Sequence, residues 1–109
     1  MFIARWHLTA NFGKLDDCLT LLKRWEVDVG ERIGWKVGSV RVLAGVVGAS
    51  QSDVEYEISF DSLTDLESAW NDLAKSPHHK EYMKQLATVI APGSDRWSIY
   101  RKVDVLADA

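Results

Sequence analysis

The sequence predicts an α+β domain in which helices cover one face of a four-stranded antiparallel sheet. Residues 2–9 and residues 54–60 alternate apolar and polar side chains, which is typical of strands. The segments that follow each of them carry apolar residues at spacings of three and four, which is the period of an amphipathic helix. Two further apolar segments complete a strand-helix-strand-strand-helix-strand order.

The first strand is predicted over residues 2–9, and a helix begins at Lys14 after the break at Asn11-Phe12-Gly13. Asp16 and Asp17 lie in its first turn, where the helix dipole favours negative charge. Gly34 is a natural stop for this helix. Its apolar stripe is predicted to be Leu15, Leu19, Leu22, Val29 and Ile33.

The second and third strands lie on either side of a polar turn at residues 49–53. Residues 39–48 form a nearly continuous, β-branched apolar run, which predicts a strand covered on both faces. The third strand alternates its apolar and polar residues, with one face formed by Val54, Tyr56, Ile58 and Phe60.

A second helical region starts at the candidate N-caps Asp61 and Ser62, and its stripe is Leu63, Leu66, Trp70 and Leu73. Ser76-Pro77 restarts the helix, with serine as the cap and proline at the first helical position. The restarted helix carries His79, Met83, Leu86 and Ile90 on one stripe and ends at Pro92-Gly93. A last strand is expected over residues 96–103. The domain is therefore residues 1–104, with a loose C-terminal tail at 105–109.

Composition limits the function. A length of 109 residues suits a single domain, and the net charge of −3 argues against nucleic acid as a partner. Cys18 is the only cysteine, so an intrachain disulfide is impossible and a reducing compartment fits. Neither a signal-peptide pattern nor a membrane-length apolar stretch is present, so we expect a cytoplasmic protein that does not bind membranes.

The sheet face away from the helices predicts a homodimer. That face should carry Ile3, Arg5, His7, Glu55 and Glu57 as well as about half of the 39–48 run. Arg5 and His7 should meet the two glutamates as cross-strand pairs, and the sheet of a second chain would cover the apolar remainder. The alternative is a lone sheet with one solvated face.

One long segment carries a family resemblance. Leu66-Glu67-Ser68-Ala69-Trp70 is followed by Lys75-Ser76-Pro77-His78-His79-Lys80, then by Leu86, and by a final strand after Pro92-Gly93-Ser94. With this segment, residues 2–103 resemble the dimeric α-β barrel superfamily, and within it the antibiotic biosynthesis monooxygenase-like proteins. The resemblance implies a ferredoxin-like β-α-β-β-α-β sandwich that forms a dimeric α/β barrel. It does not select a reaction, because the superfamily includes cofactor-independent quinol oxygenases, polyketide cyclases, haem-degrading oxygenases, lactone isomerases and proteins of no known activity.

The haem-degrading relatives use an asparagine on strand one, a tryptophan on helix two and a histidine about three turns later. Here the tryptophan corresponds to Trp70, but the asparagine position falls on Trp6 and the histidine position falls near Met83. The proximal iron ligand is therefore missing unless His79, one turn earlier, replaces it. We expect no haem and no other cofactor.

The candidate site lies between the sheet and the helices. His79 is the candidate catalytic residue and proton acceptor, because an imidazole titrates near neutrality. Aromatic walls for a flat ligand would come from other elements, and the predicted binding residues are Trp6, Tyr56, Trp70, Tyr82 and Met83. The alternatives are that Trp70 simply packs in the core and that His79 makes a local hydrogen bond at the helix start.

Other kinds of site are not indicated. His78 and His79 are adjacent and diverge on a helix, so we expect no metal site. Gly45 and Gly48 do not open a helix as a phosphate loop does. We expect Cys18 to be half-buried and inert.

Two functions fit these residues. The first is a small dimeric enzyme, namely a cofactor-independent monooxygenase or a cyclase that acts on an aromatic or polyketide-like molecule. The second is a non-catalytic dimer that binds a ligand or serves as an accessory protein. An open, aromatic-lined cavity of ~300 Å³ or more would favour the first, and side chains packed without a void would favour the second.

Overall fold

The computed structural model describes residues 1–33, 35 and 39–105. It confirms the predicted fold class: an antiparallel sheet of four strands in the order β2-β3-β1-β4, with helices packed on one face. The strands are β1 (Phe2–Thr9), β2 (Val40–Ala44), β3 (Asp53–Phe60) and β4 (Arg96–Arg101). The α-helices are α1 (Leu15–Trp25), α2 (Leu63–Lys75) and α3 (Pro77–Leu86).

The core lies between the sheet and the helices. Strands β1 and β3 pair with Ala4 opposite Ile58, Trp6 opposite Tyr56 and Leu8 opposite Val54, and all six side chains are buried. Because side chains alternate along a strand, this register turns one full apolar row of each strand toward the helices, as predicted.

The buried stripe of α1 differs from the predicted one. It runs through Cys18, Leu22, Trp25 and Val29, whereas the predicted Leu15 and Leu19 are only partly buried (as is Ile33). Beyond Trp25 the backbone continues as a π-helical turn, Glu26–Gly30, and a 3₁₀ turn, Glu31–Ile33. The buried residues recur at spacings of 4, 3 and 4, so the helical period is kept and the prediction followed the wrong one of two overlapping apolar stripes.

Cys18 is fully buried rather than half-buried, and burial raises the pKa of its thiol. The predicted helix stop at Gly34 lies outside the described residues. So does the predicted tail at 105–109, apart from Val105.

The serine caps of α2 and α3 are present, and of the two candidates for α2 the cap is Ser62 and not Asp61. The Ser62 hydroxyl accepts a hydrogen bond from the Asp65 N–H, and the Ser76 hydroxyl accepts one from the His79 N–H. Helix α3 ends at Leu86 rather than at Pro92, because the chain turns to place Ile90 in a bridge with Ala10 beside the sheet. Among the described residues, no helix is long and apolar enough to cross a membrane.

Strand β2 is shorter than the predicted run of residues 39–48. The chain leaves it at Gly45, whose N–H donates to the carbonyl of Asp53 to close the connection to β3. Val46 and Val47 lie in the connecting loop and are 78% and 91% exposed. An apolar run therefore did not mean a strand covered on both faces. The last strand likewise ends at Arg101 rather than at residue 103.

The outer face of the sheet is more polar than predicted, since only Arg41 and Leu43 of β2 lie on it by register. At its centre Glu57, 5% exposed, accepts a hydrogen bond of 3.0 Å from Arg5 and another from Arg41. Arg5 and Glu57 are cross-strand partners, as predicted. His7 likewise lies opposite Glu55 in the register, as predicted, but its imidazole makes its ionic contact with Asp53, at 3.6 Å, instead of with the glutamate.

Candidate functional site

A cavity of about 440 Å³ opens between the sheet and helices α2 and α3. Four indole rings, three small or flexible apolar side chains, one imidazole and one carboxylate surround it, and we call it the tryptophan cavity. Its lining residues are Trp6, Trp25, Trp70, Leu73, Ala74, His79, Met83, Asp95 and Trp97.

The floor of the tryptophan cavity is a pair of indoles on neighbouring strands. Trp6 on β1 lies directly opposite Trp97 on β4 in the antiparallel register, so both side chains project toward the helices. Their rings are stacked, with centroids 5.8 Å apart and planes inclined by 9°. Cross-strand aromatic pairs of this kind stabilise a sheet as well as presenting a flat apolar surface.

Trp70 of α2 forms a wall against this floor. Its ring meets Trp97 edge to face, with centroids 5.7 Å apart and an interplanar angle of 68°. Its neighbour Ala69 takes the buried position on the helix, while Trp70 remains 38% exposed. Trp70 is therefore not a core residue, and much of its ring remains accessible at the cavity.

His79 lies in the first turn of α3, where the Ser76 cap and Pro77 fix the start of the helix. The indole Nε1–H of Trp25 donates a hydrogen bond of 3.0 Å to Nδ1 of His79. Partial burial lowers the pKa of His79 below its ordinary value, because desolvation disfavours the charged ring. His79 lines the cavity, and no described hydrogen bond or ion pair involves its Nε2.

Asp95 is the only acidic residue among the described lining residues. It is exposed and directly precedes β4, two residues before Trp97. The tryptophan cavity thus combines aromatic surfaces with one carboxylate, and its described lining holds neither lysine nor arginine.

The structure brings together four of the predicted site residues, namely Trp6, Trp70, His79 and Met83. Tyr56 and Tyr82 do not line the cavity. Tyr56 is fully buried beside Trp25, with ring centroids 5.3 Å apart. The Tyr82 hydroxyl donates to Asp28, and this hydrogen bond raises the pKa of the phenol.

Sequence reasoning missed Trp25, Trp97 and Asp95. Trp25 follows Leu22 by three residues and precedes Val29 by four, so the helical period contained the signal. Trp97 could have been found by pairing the last strand with β1. Asp95 lies outside any regular element and carried no pattern.

A half-buried acid, Glu26, directly follows the lining residue Trp25 in the chain. Glu26, in the π-helical turn, accepts a hydrogen bond from the Tyr56 hydroxyl, and its other oxygen is buried without a partner. Burial, followed by repulsion from Glu31, raises the pKa of Glu26 to about 7. This carboxyl, next to Trp25 in the chain, therefore titrates near neutral pH.

The haem-binding pattern of the resembling oxygenases is not reproduced in this lining. Trp6 and Met83 line the cavity at the positions to which the resemblance assigns the asparagine and histidine of haem-degrading oxygenases. Within the described part of the chain, no three His, Cys, Asp or Glu side chains are grouped so that they could hold a metal ion.

Solved structures share this architecture. A NIPSNAP family protein from Agrobacterium tumefaciens superposes with a TM-score of 0.77 at 18% identity, covering 95% of this chain and 94% of its own. SnoaB, a cofactor-independent oxygenase from Streptomyces nogalater, gives 0.70 at 11% identity over 97% and 96%. An antibiotic biosynthesis monooxygenase gives 0.66 at 9% identity over 95% and 100%.

The chain has their ferredoxin-like fold. The superpositions span nearly the whole chain, so the ferredoxin-like fold accounts for both the sheet and the helices that enclose the tryptophan cavity. At these identities the likeness concerns the fold and not the reaction. No protein-family model matches the sequence, and no curated protein matches it.

Proposed function

We propose that this protein binds a flat aromatic small molecule in the tryptophan cavity and oxidises phenolic ligands as a cofactor-independent monooxygenase. The observation that carries the proposal is the enclosure of about 440 Å³ by four indole rings. This volume exceeds the ~300 Å³ at which small-molecule sites begin. A flat ring could stack on Trp97 or meet Trp70 edge to face, and both arrangements are favourable for aromatic pairs.

The two polar side chains of the cavity suit a phenol. The carboxylate of Asp95 can take the hydroxyl proton, and the electron-rich phenolate then reduces dioxygen directly. One oxygen atom is added to the ring, which becomes a quinone, and the other leaves as water with the ring hydrogen and the hydroxyl proton returned from Asp95. The cavity contributes by holding the ring in place and limiting the access of water.

The structural neighbours support this choice among reactions. SnoaB is described as a cofactor-independent oxygenase, and another neighbour is an antibiotic biosynthesis monooxygenase. The NIPSNAP neighbours carry the same fold, and one of them is described as having unknown function. The aromatic lining of this chain is the feature that favours the oxygenase.

An oxygen electrode tests the reaction. With 2-naphthol derivatives bearing an electron-donating substituent, we expect consumption of one dioxygen for each quinone formed, unaffected by a metal chelator. Asp95→Asn should slow the reaction, and Glu67→Gln on the exposed side of α2 should not. Tight binding of these phenols without oxygen consumption would overturn the oxygenase.

The second candidate is a non-catalytic ligand-binding protein, and a cyclase remains the other enzymatic possibility. The exposure of Trp70 and Asp95 favours ligand binding alone, because an open cavity excludes water less completely than a closed one. Binding that leaves both the phenol and dissolved oxygen unchanged would establish the binding protein. Ring closure of a poly-ketone ligand without oxygen uptake would establish the cyclase.

We also propose that the functional unit is a homodimer in which two outer sheet faces meet. The charges at the centre of this face are already paired within the chain around Glu57, so a second sheet could cover them without leaving an isolated charge. Leu43 and Tyr100 on this face are 39% and 54% exposed. Sedimentation should give a particle of twice the 12.3 kDa chain mass, and a stable monomer at micromolar concentration would contradict the dimer.

A further inference from the structure

We propose that Trp25 is a positioning residue that holds His79 as a hydrogen-bond donor, so that the tryptophan cavity selects uncharged aromatic ligands with an acceptor oxygen at His79. A hydroxylated aryl ketone is the simplest ligand of this class. The inference rests on the proposed function only in taking the ligand to be aromatic.

A hydrogen bond joins the rings of Trp25 and His79. An indole nitrogen is always a donor and never an acceptor. Nδ1 of His79 lies 3.0 Å from Trp25 Nε1, so Nδ1 must present its lone pair. A neutral imidazole carries a single N–H, which is therefore on Nε2.

The surroundings keep the ring neutral. The Trp25 N–H faces Nδ1 and would oppose a second proton there, and the environment of His79 is partly desolvated. Asp95 is the ionised group that shares the cavity, and no described hydrogen bond or ion pair joins it to His79. His79 consequently offers a ligand an N–H donor and not a lone pair. This reverses the proton-acceptor role predicted from the sequence, and the carboxylate of Asp95 is the acceptor in its place.

The charge of the cavity lining also affects which ligands bind. Because the described lining carries a carboxylate and neither lysine nor arginine, an acidic ligand would place its anion near Asp95 without a compensating cation. A ketone oxygen can accept from His79 without bringing charge, and a hydroxyl elsewhere on the ring can donate to Asp95. The two polar groups therefore favour hydroxylated ketones over aromatic acids.

Two indole-to-phenyl variants test the positioning role in the free protein. Trp25→Phe keeps an aromatic ring in place and removes the N–H. Trp35→Phe is the matched control, because Trp35 packs edge to face on Trp25 at 5.3 Å and its Nε1 is buried without a partner. Nitrogen-15 chemical shifts of His79 report which ring nitrogen carries the proton.

At a pH at which His79 is neutral, we expect the Nε2–H tautomer alone in the wild-type protein and in Trp35→Phe. Trp25→Phe should show a mixture of the two tautomers and a higher His79 pKa. The Nδ1–H tautomer in the wild-type protein, or an unchanged spectrum in Trp25→Phe when Trp35→Phe is folded, would overturn the positioning role.

A matched set of ligands tests the specificity: 2-acetyl-6-hydroxynaphthalene, its 2-ethyl analogue and 6-hydroxy-2-naphthoic acid. In the wild-type protein and in Trp35→Phe, the ketone should bind about tenfold more tightly than the ethyl analogue, which leaves the donor unpaired. The acid should bind more weakly than either. In Trp25→Phe the preference for the ketone should fall to about threefold or less, because only part of the His79 population then donates.

The two proposals fail in different ways. Equal affinity of the ketone and the ethyl analogue would overturn the acceptor-oxygen specificity and leave an aromatic-binding cavity. Failure of all three compounds to bind would overturn both the proposed function and the ligand class. The nitrogen-15 result would still decide whether Trp25 fixes the tautomer.

Discussion

Trp6 and Trp97 lie opposite each other on antiparallel strands β1 and β4, and their indole rings stack with centroids 5.8 Å apart. The pair belongs both to the sheet and to the floor of the tryptophan cavity. The rigid part of the fold therefore presents the aromatic surface, while Trp70 on α2 adds a more exposed wall. Removing the wall and removing the floor should accordingly have different consequences.

Trp70→Ala should weaken the binding of 2-acetyl-6-hydroxynaphthalene by about 10- to 100-fold, the loss expected when one aromatic stacking partner is removed. Thermal unfolding should change little, because the Trp70 side chain is 38% exposed. Phe12→Ala is the control, since Phe12 is fully exposed and does not line the cavity. Equal ligand affinity in the wild type, Trp70→Ala and Phe12→Ala would show that the ligand binds elsewhere.

Gly30→Ala should destabilise the fold through the Glu26 carboxyl. A Cβ on Gly30 would lie 2.8 Å from Glu26 Oε2, the oxygen that accepts the Tyr56 hydroxyl hydrogen bond. The carboxyl can move away only by giving up that bond, so we expect a loss of about 1–2 kcal/mol in chemical denaturation.

A double-mutant cycle tests this explanation. In a Tyr56→Phe background the carboxyl is no longer held, and Gly30→Ala should cost less than it does in the wild-type protein. Equal costs in the two backgrounds would mean that the hydrogen bond does not hold the carboxyl in place.

Stability should decrease as the pH rises through neutrality. The pKa of Glu26 is raised from 4.5 in the unfolded chain to about 7 in the folded one, so the folded state binds the extra proton. Its stabilising contribution is complete below the unfolded value and is lost as the pH passes about 7.

The titration of His79 changes the stability in the opposite direction and over a lower pH range. Its folded pKa is below the ordinary 6.5, so its contribution increases with pH and is complete above that value. Urea unfolding between about pH 6.5 and 8 should therefore isolate Glu26, with a loss of roughly 0.5 kcal/mol after allowance for partial solvent exposure. Glu26→Gln should flatten this slope, and an unchanged slope would assign the titration to another group.

Removing the buried Glu57 carboxylate on the outer face should destabilise the protein more than removing an arginine that pairs with it. Glu57→Gln removes the charge that both Arg5 and Arg41 contact, which leaves Arg5 only the Glu55 carboxylate at 3.8 Å, and we expect a loss of about 1–3 kcal/mol. Arg41→Ala should cost less, because the Arg41 side chain is 65% exposed. Lys14→Ala, in an exposed pair with Asp17, is the control and should change stability by less than about 1 kcal/mol. Denaturant titrations in which Arg41→Ala loses more stability than Glu57→Gln would contradict this prediction.

Much of the fold could be predicted because its signals are local and periodic. The alternation in β1 and β3 gave the buried face correctly, and Ser62 and Ser76-Pro77 marked the starts of α2 and α3. The error in the first helix was a choice between two apolar stripes of the same period. Cys18 and Trp25 are buried, whereas the predicted Leu15 and Leu19 are only partly buried.

The candidate site was only partly predictable for a different reason. The residues that line a cavity depend on which strands are neighbours in the sheet and on which side chains leave space between them. Neither can be read from a single segment of the sequence. Trp97 enters the cavity through its register with Trp6, whereas Tyr56 is removed from it by the Glu26 hydrogen bond. His79 was found from its stripe, but its partner Trp25 is 54 residues away in the chain.

The most direct test of the proposed binding site is an intermolecular nuclear Overhauser experiment with 2-acetyl-6-hydroxynaphthalene and the wild-type protein. We expect contacts from the naphthalene protons to the indole protons of Trp70 and Trp97, and from the acetyl methyl to the His79 ring. Contacts confined to residues outside the tryptophan cavity, or no binding at millimolar ligand, would contradict the proposed function.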